Sequence, residues 1–351
     1  MTQPASKTPQ DIRALRARHP EMRERDFARI HAISEAELVA AHVGHNAVRL
    51  RPDVDALLNG LTSVGEVMAL TRNESAVHEK IGPYEKLMLG THACAVLGEE
   101  IDLRIFPQRW ASGYAVEKRD EAGTLRRSLQ FFDGKGEAVH KVHARPATNL
   151  DAWALLVDNL RHPDQTDQAV LSPAATAAPA EAPASLAELR AAWAAMTDTH
   201  QFFPMLKKLR LPRLDALEMV GEDFAWQLET GAVEAIFDNV KGTDLPVMVF
   251  VGNAGCVQIH AGPIVNVKNM GPWLNVMDET FHLHFRLDHI ASAWAVRKPT
   301  SDGHVTSVEI YDANRELIIQ FFGKRQEGTD ERAAWRGLVE RLPVPSTSNA
   351  A

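Results

Sequence analysis

Asn73-Glu-Ser-Ala-Val-His-Glu-Lys-Ile-Gly-Pro83 has a counterpart 180 residues further on, Asn253-Ala-Gly-Cys-Val-Gln-Ile-His-Ala-Gly-Pro263. At the same displacement Trp110-Ala-Ser-Gly-Tyr-Ala-Val-Glu-Lys118 meets Ile290-Ala-Ser-Ala-Trp-Ala-Val-Arg-Lys298. One deletion later Phe132-Asp-Gly-Lys-Gly-Glu137 meets Tyr311-Asp-Ala-Asn-Arg-Glu316, and each half closes on a helical stretch, around Trp153 and around Trp335. A register held over so many segments is an internal duplication. It predicts a tandem repeat with a pseudo-twofold cleft between the halves, a common place for a ligand.

Around these anchors the texture is that of an α+β protein. Thr8-Pro9-Gln-Asp11 and Ser34-Glu-Ala-Glu37 read as helix starts, the second a capping box. From about Val64 short alternating segments read as strands: 66–70, 76–78, 101–106 and 114–117. Leu125 to Phe132 and Glu137 to Val142 flank a glycine-containing turn, which reads as a hairpin. Leu150 to Leu160 and Leu186 to Ala195 read as helices. The stretch 162–185, rich in proline and alanine, reads as a linker. The expected organisation is therefore an N-terminal repeat at 1–161, the linker, and a C-terminal repeat at 186–351.

Composition narrows the function classes. The chain has 351 residues, 45% hydrophobic and 24% charged, which is ordinary for a globular protein. A formal net charge of -8 argues against a scaffold built to hold nucleic acid, so a DNA-binding regulator using the N-terminal helices is a remote alternative. Two cysteines, Cys94 and Cys256, form no CxxC pattern, and neither a disulfide framework nor a zinc cluster is implied. No stretch of about 18 apolar residues is present to insert into a membrane, and the expected location is cytoplasmic.

Met196-Thr-Asp-Thr-His-Gln-Phe-Phe-Pro-Met-Leu206 carries the sharpest chemical signal. His200 is followed by an apolar wall and then by Lys207, Lys208, Arg210 and Arg213. An imidazole with apolar walls and nearby cations suits a flat, anionic ligand whose metal takes an axial nitrogen, as heme does. The ordinary alternative is a hydrogen-bonded core histidine. The repeats also diverge in charge: Arg104 is matched by His284, Phe106 by Arg286, Lys141 by Gln320 and Arg145 by Lys324. This predicts different jobs for the two halves at one shared site. His282 and His284, two apart on a strand, share a face as metal ligands do, but nothing in the spacing adds a third ligand.

Several motifs in one order resemble the HemS/HmuS/PhuS/ChuS-type hemin transport and hemin-degrading proteins. They are Val67-Met-Ala-Leu-Thr-Arg-Asn-Glu74, Val77-His-Glu-Lys80, Ile101-Asp-Leu-Arg-Ile-Phe106, Ser128-Leu-Gln-Phe-Phe-Asp133, Thr199-His-Gln-Phe-Phe203 and Ile319-Gln-Phe-Phe-Gly-Lys-Arg325. The resemblance covers nearly the whole chain and implies two large antiparallel sheet halves with flanking helices and a heme cleft between them. It implies His200 as the axial iron ligand and Arg104 as a donor on the other heme face, the one residue given a catalytic role. Phe106 would pack on the macrocycle, while Lys298, Gln320 and Arg325 would line the second-repeat side, with Lys207 as a further cation. His78 is the candidate for a secondary heme contact. The family site can include a tyrosine near the Gln-Phe-Phe-Gly strand, and Ile319 stands at that position here. Heme is then cargo or substrate. The implied partners are a heme-import ABC transporter, a heme oxygenase or other acceptor, and an external reductant if the protein is an enzyme.

Overall fold

Both copies of the repeated Asn…Gly-Pro stretch form the turn and second strand of a hairpin, and the asparagine organises each. The Asn73 side-chain carbonyl accepts from the Ser75 and Ala76 amides at 3.0 and 2.9 Å. Asn253 accepts in the same way from Gly255 and Cys256, at 3.0 Å each. These are turns in which the side chain stands in for a backbone acceptor. The remaining amide N–H of each asparagine donates to another strand: Asn73 to the Ile318 carbonyl at 2.7 Å, Asn253 to those of Val139 and Arg72 at 2.8 and 2.9 Å.

The computed structural model describes residues 7–120, 122–172, 183–324 and 333–346. Within these, the first repeat runs α1 (Pro9–Arg18), α2 (Glu24–Ile30), α3 (Glu35–Ala40), β1 (Ala47–Leu50), α4 (Val54–Val64), β2 (Val67–Arg72) and β3 (Ala76–Gly82). It continues with β4 (Leu87–Met88), β5 (Cys94–Leu97), β6 (Asp102–Ile105), β7 (Ser112–Arg119), β8 (Leu125–Phe132), β9 (Ala138–Ala144) and α5 (Leu150–Leu160). The second repeat gives α6 (Leu186–Ala194), α7 (Phe202–Leu209), α8 (Arg213–Val220), β10 (Ala225–Leu228), α9 (Ala232–Val240), β11 (Val247–Gly252) and β12 (Cys256–Gly262). Then come β13 (Val267–Met270), β14 (Trp273–Met277), β15 (Phe281–Arg286), β16 (Ser292–Thr300), β17 (Gly303–Tyr311), β18 (Leu317–Gly323) and α10 (Ala333–Glu340). Every element of one repeat has its counterpart, in the same order, in the other.

The strands make two nine-stranded antiparallel sheets, ordered β1-β7-β8-β9-β2-β3-β15-β14-β13 and β10-β16-β17-β18-β11-β12-β6-β5-β4. Each sheet thus takes six strands from one repeat and three from the other, whereas the sequence reading keeps each sheet within one half. Gly82-Pro83 and Gly262-Pro263 end β3 and β12 in both repeats, because proline lacks the N–H that would continue the ladder. The chain packs as two compact units, residues 1–72, 78–175 and 252–258 in the first and 73–77, 176–251 and 259–351 in the second.

The capping boxes at Thr8, Ser34 and Ser185 are formed, and the helices at Leu150–Leu160 and Leu186–Ala194 stand where the sequence puts them. Helices α2 and α4 go beyond the sequence reading. Residues 173–182 of the expected linker lie outside the described residues. The first unit is filled by α4 and α5 residues such as Leu57, Leu61, Trp153 and Leu156 against Phe131 and Val142. The second is filled by Phe237, Phe281, Phe285, Phe321 and Trp335. No helix among the described residues is long and apolar enough to cross a membrane.

Candidate ligand site

His200 sits on a single turn, Thr199–Gln201, between α6 and α7. Asp198 caps that turn: its Oδ1 accepts the His200 amide at 2.7 Å and lies 2.7 Å from the imidazole Nδ1. A carboxylate only accepts, so the proton resides on Nδ1 and the Nε2 lone pair is directed away from it. The ring is 92% exposed, which disposes of the core-histidine alternative. It borders a cavity of about 560 Å³ with Met196, Pro204, Met205 and Lys208 on its wall.

The aromatic pair after His200 splits. Phe203 faces solvent, while Phe202 turns inward, edge-on to Trp193 with ring centroids 4.8 Å apart. Two cations stand over the Phe202 ring, Lys298 Nζ at 4.6 Å and Arg213 Cζ at 5.0 Å from its centroid. The His200 stretch is therefore held against a charged cluster on the sheet, and the centre of that cluster is Glu309.

Glu309 is fully buried on β17, opposite Gln320 of β18. Arg213 donates to it twice, Nε to Oε2 at 2.7 Å and Nη2 to Oε1 at 2.6 Å. Lys298 Nζ donates at 2.7 Å, Tyr311 Oη at 2.8 Å, and Gln320 Nε2 and Ser307 Oγ each at 3.1 Å. Burial alone would raise the Glu309 pKa, but Arg213 and Lys298 outweigh it and hold the carboxyl well below its usual range. Burial and then Arg213 bring Lys298 down to about 8, against the pull of Glu309. The structure thus brings Lys298 and Gln320 together as expected, but turns both toward an internal carboxylate, with Lys298 itself buried. Tyr311, from the adjoining strand, puts a phenol in the cluster although Ile319 replaces the expected tyrosine. Glu309 escaped the sequence reading. The signal was there, since a buried lysine on β16 calls for a counter-charge on the strand beside it, and Glu309 stands on β17.

The remaining expected residues are scattered. Arg104 lies on β6 in the first unit, 40% exposed, and is ion-paired with Asp102 on the same strand face. Its Nη1 also donates to the Leu103 carbonyl at 3.0 Å. Phe106, just beyond β6, is partly exposed, and Lys207 is exposed on α7. His78 is fully buried in β3, where no ligand reaches it without opening the strand. Arg325 lies outside the described residues. His284 hydrogen-bonds Asn275 through Nδ1 at 2.7 Å, and among the described residues no three His, Cys, Asp or Glu are grouped to hold a metal ion.

A second buried polar group also escaped the sequence. His140 joins Tyr84 Oη at 2.6 Å through Nε2 and Thr71 Oγ1 at 2.9 Å through Nδ1, with Cys256 Sγ 3.5 Å from Thr71. Burial drives His140 down to about 3 and Cys256 up to about 12, so the imidazole is neutral and the thiol protonated at neutral pH. At the matching positions the other repeat has Ile319, Ile264, Val251 and Ala76, all apolar.

A family profile described as "Haemin-degrading HemS.ChuX domain" matches residues 32–160 and 210–342. The hemin transport protein HmuS of Yersinia pestis is 41% identical over 328 residues, 93% of this chain and 94% of that one. The crystal structure of holo-PhuS, a heme-binding protein from Pseudomonas aeruginosa, superposes with a TM-score of 0.92 at 42% identity, covering 97% of this chain and 100% of that one. The structure of ChuS, described as an E. coli heme oxygenase, superposes with a TM-score of 0.87 at 37% identity, covering 94% and 99%.

Proposed function

We propose that this chain, which belongs to the haemin-degrading HemS.ChuX family, is a cytoplasmic heme-binding protein that receives imported heme, shields it and passes it to an acceptor. The observation that carries the reading is His200. Its ring is exposed, its Nδ1 is fixed by Asp198, and its Nε2 is left to bind iron, the carboxylate–histidine arrangement that orients metal-ligating imidazoles. Arg213 is the partly exposed cation of the Glu309 cluster and is the candidate partner for a heme propionate. Lys298 and Gln320 act one layer deeper, by holding Glu309 and with it Arg213. Lys207 and Arg325 are the further candidate cations. Arg104 and Phe106 keep the roles implied by the resemblance, distal donor and macrocycle contact. A heme-import transporter is the expected source of heme and a heme oxygenase the expected acceptor.

The test is His200→Ala in the full chain, titrated with hemin. The expected result is a folded variant with weakened binding and altered ligand-sensitive absorption bands. Unchanged spectra and affinity at the His200 site would overturn the assignment.

The ChuS relative favours a second reading, oxygen-dependent heme degradation driven by an external reductant. Heme itself supplies the redox chemistry. The chain would supply the donor Arg104, and one preorganised donor is typically worth about a hundredfold in rate. On this reading, aerobic bleaching with reductant persists in the presence of catalase, stops without oxygen, and slows about a hundredfold in Arg104→Ala. Bleaching abolished by catalase, or equally fast in the variant, leaves the carrier alone.

A further inference from the structure

The turn that carries His200 is pinned more firmly than its exposure suggests. The Thr197 amide donates to Gln201 Oε1 at 2.9 Å, and Gln201 Nε2 returns a bond to Thr197 Oγ1 at 3.2 Å. The Gln201 amide closes on the Asp198 carbonyl at 3.1 Å. From the turn between β16 and β17, the Ser301 amide donates to the Thr197 carbonyl at 2.8 Å. Asp198 is therefore held where one oxygen, Oδ1, takes both the backbone amide and Nδ1 of His200, each at 2.7 Å. Placement alone needs only an oxygen acceptor, which asparagine supplies equally well at such a cap. What aspartate adds is a negative charge.

A carboxylate that draws on the Nδ1 proton raises the electron density at Nε2 and strengthens that nitrogen as a donor to a metal. Ferric iron carries one more positive charge than ferrous iron, so the carboxylate stabilises the ferric complex more. Lys208, the cation on the wall of the same cavity, acts in the opposite sense. We infer that Asp198 is a positioning residue whose charge biases the His200 site toward ferric over ferrous heme. The inference rests on the reading of His200 as the axial iron ligand, and it adds the oxidation state that the site selects. The Asp198 side chain is 56% exposed, so water screens its charge and holds the bias to about tenfold.

The test is the midpoint potential of the full chain loaded with hemin, compared in wild type, Asp198→Asn, His200→Ala and Asp238→Asn. An asparagine keeps its oxygen at this cap, because the His200 amide can only donate to it, so the ring keeps its tautomer and only the charge is lost. Asp198→Asn should retain the His200-type absorption bands and raise the midpoint by about 59 mV, a tenfold change in the ratio of ferric to ferrous affinity for one electron. A second readout is transfer of heme to excess apomyoglobin, ferric in air and ferrous under anaerobic dithionite. Relative to the ferrous form, ferric heme should leave the variant about tenfold faster. Asp238 is an exposed carboxylate on α9 paired with Lys241, and Asp238→Asn should leave the midpoint where it is. An unchanged midpoint in Asp198→Asn with the His200 bands intact overturns the bias and leaves the axial assignment standing. Equal acceleration of ferric and ferrous release, or loss of those bands in Asp198→Asn, shows a role in placement alone and overturns it too. A shift of the same size in Asp238→Asn shows a general effect of net charge, with the same consequence. Bands and midpoint unchanged in His200→Ala overturn the axial assignment and this inference with it.

Discussion

Glu309 is the residue on which most depends. A fully buried carboxylate is tolerated here because two cations and three further donors satisfy it. Glu309→Leu leaves Arg213 and Lys298 facing each other without a counter-charge, and should cost about 3–5 kcal/mol in urea unfolding. Lys298→Met in the same background should recover part of that loss, since it removes one stranded charge. His140, which is buried, and His143, which is half-buried, predict a pH dependence with a definite sign. His140 is held at about 3 and His143 at about 4, the first mainly by burial, the second by burial and then by Lys141. In the unfolded chain both titrate near about 6.5. As pH falls below that value the unfolded state takes up protons that the native state refuses, so stability is lost between pH 6.5 and about 4. At full effect each histidine contributes about 1.4 kcal/mol per pH unit. Unfolding free energies from urea titrations between pH 7 and 5 should fall, approaching this slope only below the unfolded pKa, and His143→Gln should make the fall shallower. A flat profile in the wild type would show that neither ring is held neutral.

At the scale of the element, the repeated hairpin is where local chemistry sets tertiary structure. Asn73 and Asn253 each close their own turn and also reach a carbonyl of another strand, which no other residue type of that size does with both ends of its side chain. Asn73→Ala and Asn253→Ala should each cost about 2–3 kcal/mol, from at least three lost hydrogen bonds. Asn239→Ala on α9 removes only an exposed bond to the Ala235 carbonyl and should stay within about 0.5 kcal/mol. The closing helix of the second unit depends on a close approach. A Cβ at Gly323 would meet Trp335 side-chain atoms at 2.7 Å, so Gly323→Ala should displace α10 and cost about 1–3 kcal/mol. Normal stability in that variant would mean that α10 shifts without loss of packing.

At the scale of the molecule, each sheet draws strands from both repeats. A sheet that loses three of its nine strands exposes a new edge, so one repeat cannot unfold and leave the other sheet whole. Thermal unfolding should therefore be one transition, with calorimetric and van't Hoff enthalpies that agree. Two resolved transitions would show that each repeat completes its own sheet. The same arrangement explains why the compact units depart from the linear halves: residues 73–77 and 252–258, the tips of the two hairpins, pack with the unit named for the other repeat.

The sequence by itself determined the duplication, the capping box at Ser34, the helices at 150–160 and 186–195 and the candidacy of His200. These are legible because they depend on neighbours within a few positions, or on a register that one chain can be compared with itself to find. Alternation along a strand tells which face a side chain takes, but not what stands across the sheet from it. Only the tertiary structure decided that β4 to β6 and β13 to β15 change sheets, that Lys298 and Gln320 turn inward to Glu309, and that His78 is sealed in its strand. Each of those outcomes is set by partners that the fold brings close through space, and a buried charge takes the partner that satisfies it wherever in the chain that partner lies.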